Sequence, residues 1–370
     1  MLCGAALADS ESSISNVACG DDTVFVIMND GKLIAWGDNS GGFIPMEHRK
    51  LNIDYNDRCI IMCNVKEIAV GNKCVLAINN SNELYGWGND GVMSLLCGNA
   101  HGGLARKPVK LMDNIMCASS GIEHNAAITV NGELYTWGRD TNGSLGLGEL
   151  NRAIYNDPQK VMDNAVKVLC SGNNTLAIAD DNKLYAWGES FGYTRPRMVA
   201  LGITDVAKAS SGSYLLLNKS NEVKLLNCIT EKDGKKTNIK VKLSPVISSN
   251  VSSITDFGYT RDDGTLWMCN ERGSNSFVPL EKGIQHMHCS NMNCRAYDAD
   301  NTLIIEKNEF NSFVSSESHA DSDVDVSIQA NTSGIIWAIV IAALIAAAVT
   351  VVIDEPEFYK KLKERIISYF

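Results

Sequence analysis

Few residues in this chain have both the type and the spacing that chemistry needs. His124 lies beside Gly121 with no second histidine or carboxylate in phase, which suits a hydrogen-bonded structural role better than a base or a ligand. His286 and His288 alternate along one presumptive strand face, yet Met287 and Cys289 beside them complete no metal set. The 12 cysteines include no CxxC pair, and neither Cys59 with Cys63 nor Cys289 with Cys294 has a matching histidine cluster. Cys19, Cys117 and Cys170 each fall just before a glycine, where a small buried side chain is wanted, and read as packed thiols. No Ser-His-Asp order, phosphate-cradling loop or paired carboxylates stand out. The sequence therefore predicts a protein that is not an enzyme and holds no cofactor and no metal.

What remains is a set of polar loops: Asp38, Asn39 and Ser40; Asn89 and Asp90; Arg139, Asp140 and Asn142; Glu189 and Ser190. Each follows a Trp-Gly pair, and together they form the candidate binding face, because a rigid scaffold positions the variable side chains of its loops. The scaffold is an internal repeat. GKLIAWG (31–37), NELYGWG (82–88), GELYTWG (132–138) and NKLYAWG (182–188) place Trp36, Trp87, Trp137 and Trp187 51, 50 and 50 residues apart. Trp36-Gly37, Trp87-Gly88, Trp137-Gly138 and Trp187-Gly188 are read as structural repeat residues. The shared phase of the tryptophans makes them packing residues and not a stacking platform, and Tyr85, Tyr135 and Tyr185 follow them.

Before each heptad comes an apolar strand, TVFVIM (23–28), CVLAI (74–78), NAAIT (125–129) or TLAIA (175–179), and before that a glycine, Gly20, Gly71, Gly121 or Gly172. Asp30-Gly31 and Asn131-Gly132 supply hairpin turns. Three fainter copies put Leu226, Cys269 and Glu306 at the tryptophan position, with the spacing shortened to 39, 43 and 37. Pro108, Pro158, Pro196, Pro245 and Pro279 share one phase of the repeat, at a strand start or on a strand edge.

These residues resemble the repeat of the regulator of chromosome condensation (alpha-tubulin suppressor-like) family: apolar strand, glycine, second strand, turn, L-Y-x-W-G and a glycine-rich loop. GELYTWGRDTNGSLGLG (132–148), with Asn142, Gly143, Leu145, Gly146 and Gly148, matches best. The resemblance covers about 17–309 and implies an all-β, seven-bladed β-propeller of four-stranded blades, a degenerate and membrane-anchored member of that family. A lone blade cannot bury both faces, so the blades must stack and the ring close. TRDDGTLW (260–267) loosely fits the Asp-box of sialidases through Asp262, Gly264 and Trp267, but it occurs once, and the repeat register explains it as a hairpin. A glycan-processing enzyme is the weakest reading.

Outside the repeats, 1–16 resembles the end of a signal peptide, with Ala6-Leu7-Ala8 as a small-x-small site, which implies a start upstream of Met1. Residues 310–333 form an acidic Ser/Asp-rich stalk without Lys or Arg. Residues 334–353 carry no charge and are long enough as a helix to span roughly 30 Å of hydrocarbon, with Trp337 near one end. The tail 354–370, with Lys360, Lys361, Lys363 and Arg365, is basic and amphipathic. The charge asymmetry predicts a single-pass protein with its tail cytoplasmic and its propeller extracytoplasmic; the alternative is a cytosolic, tail-anchored protein. A net charge of -10 argues against nucleic acid as a partner. The partners expected are therefore a protein and, through 334–353, the membrane. The alternative function, which the resemblance implies, is regulation of a small GTPase by guanine-nucleotide exchange.

Overall fold

Two kinds of turn recur along the chain, and both use a left-handed backbone that Gly and Asn adopt at low cost. Gly31, Asn82, Gly132, Asn182, Asn221 and Gly264 turn the hairpins, and Asn64, Asn114, Asn164, Gly202 and Asn250 lead from one sheet to the next. The computed structural model describes residues 14–20, 23–39, 42–45, 52–53, 58–72, 74–88, 105–150, 152–210, 212–233, 236–269, 277–282, 286–290, 293–297 and 303–307.

Between these turns run the strands. The first sheet holds β1 (Ile14–Gly20), β2 (Thr23–Met28), β3 (Leu33–Asp38), β4 (Asn52–Ile53) and β5 (Cys59–Met62), with β4 and β5 both pairing β3. The second holds β6 (Val65–Val70), β7 (Cys74–Asn79), β8 (Leu84–Gly88) and β9 (Ala105–Met112). The third holds β10 (Ile115–Ser120), β11 (His124–Thr129), β12 (Leu134–Arg139) and β13 (Ile154–Met162). The fourth holds β14 (Ala165–Ser171), β15 (Asn174–Ala179), β16 (Lys183–Gly188) and β17 (Tyr193–Leu201). The fifth holds β18 (Ile203–Ser210), β19 (Ser213–Asn218), β20 (Val223–Asp233) and β21 (Lys236–Leu243). The sixth holds β22 (Val251–Thr255), β23 (Gly258–Arg261), β24 (Thr265–Cys269) and β25 (Phe277–Lys282). A last sheet has three strands, β26 (His286–Ser290), β27 (Asn293–Tyr297) and β28 (Leu303–Lys307).

The protein is thus an all-β propeller, and the expectation of seven four-stranded blades is corrected. Among the described residues six blades are complete and the last segment is a three-stranded sheet. Among the described residues no N-terminal strand joins that sheet, and β1 is the inner strand of the first blade, paired with β2. The inner strands β1, β6, β10, β14, β18, β22 and β26 lie side by side in succession, and β26 lies against β1.

The apolar core sits between neighbouring blades. Phe25 and Ile27 of the first pack with Val65 and Val75 of the second; Ala126 and Ile128 of the third pack with Val168 and Trp187 of the fourth. Leu176 and Leu184 of the fourth meet Val206 and Leu216 of the fifth. Burying such side chains contributes about 1.5–3 kcal/mol each, and the neighbouring blade supplies the cover. A backbone belt ties the rim where the left-handed turns lie. Five of the six turn carbonyls accept an N–H from the next blade: Val65 to Gly31 (2.9 Å), Ile115 to Asn82 (2.8 Å), Ala165 to Gly132 (2.9 Å), Ile203 to Asn182 (3.0 Å) and Val251 to Asn221 (3.0 Å). Asn80 to Asn64, Val130 to Asn114, Asp180 to Asn164, Lys219 to Gly202 and Asp262 to Asn250 complete it.

The shared proline phase has a structural cause in three blades. Opposite Gly86–Gly88, Thr136–Gly138 and Ala186–Gly188 the outer strand bulges by extra residues, and Pro108, Pro158 and Pro196 sit in those bulges, where no ladder N–H is required. Pro279 instead pairs with Trp267 on an outer strand. Among the described residues no helix is long and apolar enough to cross a membrane; the segments 1–13, 310–333, 334–353 and 354–370 lie outside those residues.

Candidate functional site: the loops after Trp-Gly

The loops that follow the third strand of each blade share one rim with the turns at Gly20, Gly71, Gly121 and Gly172. In the first blade the Asn39 side chain shapes the loop. Its Oδ1 accepts the Ile44 N–H (2.8 Å) and its Nδ2 donates to the Ile44 carbonyl (3.0 Å). That places the Phe43 carbonyl to accept the indole N–H of Trp87, in the next blade, at 2.7 Å. The third blade repeats the device: Asp140 Oδ1 accepts the Leu145 N–H (3.0 Å), and the Ser144 carbonyl accepts the Trp187 indole N–H (2.9 Å). Each of these loops is thus a lid on the tryptophan of the following blade. Trp87, Trp137 and Trp187 are fully buried. Trp36 is only half-buried.

Two of the candidate binding residues are accordingly ties inside their loops, the buried Asn39 and Asp140. Arg139 is half-buried and ion-paired with Glu123 (3.3 Å), while its own N–H donates to the Glu123 carbonyl (2.8 Å). Asn142 takes a left-handed backbone (φ 54) in a single 3-10 turn, Thr141–Gly143. Glu189 is exposed and accepts the Asn173 side-chain amide (2.9 Å), and Ser190 donates its N–H to Asn174 Oδ1 (2.7 Å). Asp38 ends β3. Asn89, Asp90 and Ser40 lie outside the described residues.

Asp140 departs from Asn39 in one respect. It has no amide to give, its Oδ2 is buried with no partner among the described residues, and burial raises its pKa. Glu149 pushes in the same direction and the Leu145 N–H opposes. A pKa raised on folding means that protonation favours the native state, so this carboxylate weakens the fold as pH rises through its folded value. Asp140→Asn restores the amide found in the first blade. The variant is expected to be more stable at neutral pH by about 1–3 kcal/mol, the cost of a buried unsatisfied polar atom. In paired thermal melts that advantage should shrink on acidification; an advantage independent of pH would contradict it.

Under the rim, hydrogen bonds join one blade to the next, one residue beyond the equivalent position. His124 Nε2 meets Thr175 Oγ1 at 2.9 Å, and the Thr175 hydroxyl donates to the Ser144 carbonyl at 2.8 Å. Thr175 must therefore accept from His124, which places the ring proton on Nε2. Cys74 donates to Asn125 Oδ1 (3.2 Å) in the same positions one blade earlier, and Cys170 N–H donates to Ser119 Oγ (2.8 Å). Burial drives the His124 pKa from 6.5 down to about 4. The unfolded chain gains a proton near the higher value and the folded one only near the lower. Stability is expected to fall through that window by about 3 kcal/mol, at 1.4 kcal/mol per pH unit. Denaturant titrations of the wild type and His124→Gln across that range check this: the variant should lack the slope, and an equal slope in both would contradict it. Burial likewise pushes the Cys117, Cys170 and Cys228 thiols up to about 12.

Along the inner strands runs a cavity of about 550 Å³ whose lining includes Ser119, Ser171, Lys208 and Asp256, with Lys167 paired to Asp205. Among the described residues no group of three or more His, Cys, Asp or Glu side chains is placed to hold a metal. The TRDDGTLW segment is a hairpin turned by Gly264, and Trp267 stacks on Tyr259 at 6.2 Å.

The model of the regulator of chromosome condensation (RCC1) repeat matches residues 131–178, and a second RCC1 repeat model matches 14–42. Both matches fall on blades whose strands, turns and Trp-Gly loops have the geometry described above. The chain forms an RCC1-like β-propeller. Solved structures with this RCC1-like fold include human WBSCR16, at 15% identity and a TM-score of 0.52, over 58% of this chain and 62% of that one. Prp20p from Saccharomyces cerevisiae, studied for its binding to Gsp1p and histones, matches at 16% identity and a TM-score of 0.56, over 73% and 77%. Yeast RCC1 (Prp20) in its complex with Kap60 matches at 17% identity and a TM-score of 0.53, over 69% of each chain. The RCC1-like chain thus spans about three fifths of WBSCR16 and more of Prp20p.

Sequence reasoning located the loops and missed how they are held. The signal was present: His124–Thr175, Cys74–Asn125 and Ser119–Cys170 each span 51 residues, one more than the 50-residue repeat.

Proposed function

We propose that this RCC1-like propeller is a non-catalytic protein-interaction module held at a membrane by residues 334–353. The observation that supports it best is the construction of the rim. Asn39 and Asp140 fasten their loops from within and the next blade's tryptophan fastens them from below. Arg139 and Asn142 are thereby carried on a rigid support, Asn173 and Asn174 hold the segment of Glu189, and a preorganised support lowers the ordering cost of binding. The uncharged segment 334–353, flanked by an acidic stalk and a basic tail, supports a single pass with the propeller outside the cytoplasm.

The test is proximity labelling from the full chain in intact cells, together with protease shaving. The expected result is a reproducible set of labelled proteins and a propeller open to external protease. A propeller protected from protease would overturn the outward-facing arrangement, and the absence of any reproducible labelled protein would overturn the module. The likeness to Prp20p, studied for binding Gsp1p and histones, favours a second reading, a cytosolic, tail-anchored exchange-factor-like regulator of a small GTPase. Accelerated nucleotide release by the full chain would select it.

A further inference from the structure

We infer that the outer edge of the third and fourth blades docks an acidic protein segment that carries a large apolar side chain. The inference rests on the protein-interaction reading and names the surface and the partner chemistry. It starts from the bulge in β17, which displaces Thr194, Arg195 and Pro196 from the ladder between the pairs Ala186–Arg197 and Gly188–Tyr193. The displaced residues reach the loop of the preceding blade. Gly148 N–H donates to the Thr194 carbonyl (2.7 Å), and the Arg195 guanidinium lies where a side chain on Gly148 would otherwise stand. The same bulge brings Arg197 over the Tyr193 ring, 4.5 Å from its centre. Both arginines are exposed, yet each is held in place before any partner arrives.

Their charge is not neutralised locally. Elsewhere on the propeller Lys110, Lys160 and Lys183 are each locked to acids at 2.6 Å. Among the described residues Arg152, Arg195 and Arg197 form no such pair, and Glu149 is the single acid within the stretch 148–154. Arg152 is exposed on a left-handed backbone (φ 52), where every other such non-glycine residue described is Asn except Phe257. In the same stretch as Arg152 stand apolar side chains in water: Leu150, 71% exposed, the most exposed large hydrophobic side chain described, and Ile154, 40%. Arginine is enriched in binding hot spots, exposed apolar side chains beside it add surface for a partner to cover, and an unneutralised cationic rim complements an acidic partner. The exposed apolar residues favour a protein segment over nucleic acid.

The test uses the full chain in non-ionic detergent. The probe is a fluorescent peptide of Asp and Glu around one central Phe, read by anisotropy. Comparators are the same peptide with Lys for its acids, the peptide with Ser for Phe, and a single-stranded DNA oligonucleotide. The wild type is expected to bind the acidic peptide, more weakly as salt rises. Arg195→Glu with Arg197→Glu should weaken binding by about tenfold or more and Leu150→Ser by several-fold, both with wild-type melting curves. Arg195→Gln with Arg197→Gln replaces the reversal if that variant fails to fold. No binding by the wild type, equal binding by all variants, equal binding of the Lys or Ser peptide, or equally tight DNA binding would each overturn the inference. If the arginine variants lose the peptide yet label the same proteins in cells, or if peptide binding fails while labelling persists, the interaction module stands without this surface.

Discussion

Trp187→Ala is expected to cost about 3–5 kcal/mol, enough to leave a marginal domain largely unfolded. The indole is fully buried between the third and fourth blades, among Ala126, Ile128, Val168 and Ala177. Its N–H also ends on the Ser144 carbonyl, which Thr175 shares. Truncation therefore opens a cavity at a blade interface and releases the loop that carries Arg139, Asp140 and Asn142. Trp187→Phe keeps most of the apolar contact and loses the hydrogen bond, so it should cost less, about 1–2 kcal/mol. Trp36→Ala is the internal comparison. Trp36 is half-buried, so its loss should shift the denaturation midpoint measurably less. Equal midpoints for Trp36→Ala and Trp187→Ala, read by far-UV circular dichroism, would contradict the lid geometry.

Gly188→Ala should be nearly as damaging, for a backbone reason. Gly188 has φ 106, and a Cβ there would fall on the Asn173 carbonyl oxygen, with the Asn174 Cα only 2.8 Å away. Neither neighbour is a flexible side chain, so strain and overlap add, to about 3 kcal/mol or more. Gly37 and Gly138 share the conformation at φ 107 and 105, which is why glycine follows tryptophan in the repeat. Gly202→Ala separates the two causes: Gly202 is also left-handed (φ 71), but nothing lies within 4 Å of the added carbon. It should cost only the backbone preference, about 1–2 kcal/mol. Thermal melts of the two variants would rank them, and equal losses would remove close approach from the explanation.

The hairpins were legible in the sequence because their signals are local. TVFVIM became β2, Thr23–Met28, residue for residue, and the Asn-Gly and Asp-Gly turns stand where a left-handed backbone is needed. Leu226 replaces tryptophan opposite Tyr214 and is equally buried, so a faint repeat was still readable from its phase. The outer strands were not readable. β9, β13 and β17 are interrupted by bulges, and their exposed edges leave no alternation of apolar and polar residues. The last blade was misjudged because the count came from heptad phase alone. Phase says where a hairpin turns, and it does not say whether an outer strand pairs with that hairpin. The loop candidates were also half legible. Polarity after Trp-Gly picks out the loop segments but does not separate Asn39 and Asp140, which hold the loops together, from Glu189, which faces water. Nor could it foresee that Arg195 and Arg197, placed by a bulge, share the edge with Leu150.

The claim on which the rest depends is that blade packing runs around the described propeller with no loose end, β26 lying against β1. Hydrogen–deuterium exchange of the full chain, resolved by peptide, tests it most directly. In an open stack of repeats the terminal unit frays first. In a closed ring the amides of β1–β3 should be protected to within about tenfold of those of β14–β16, because both open only with the whole. Exchange of β1–β3 that is faster by orders of magnitude while β14–β16 stay protected would contradict the ring.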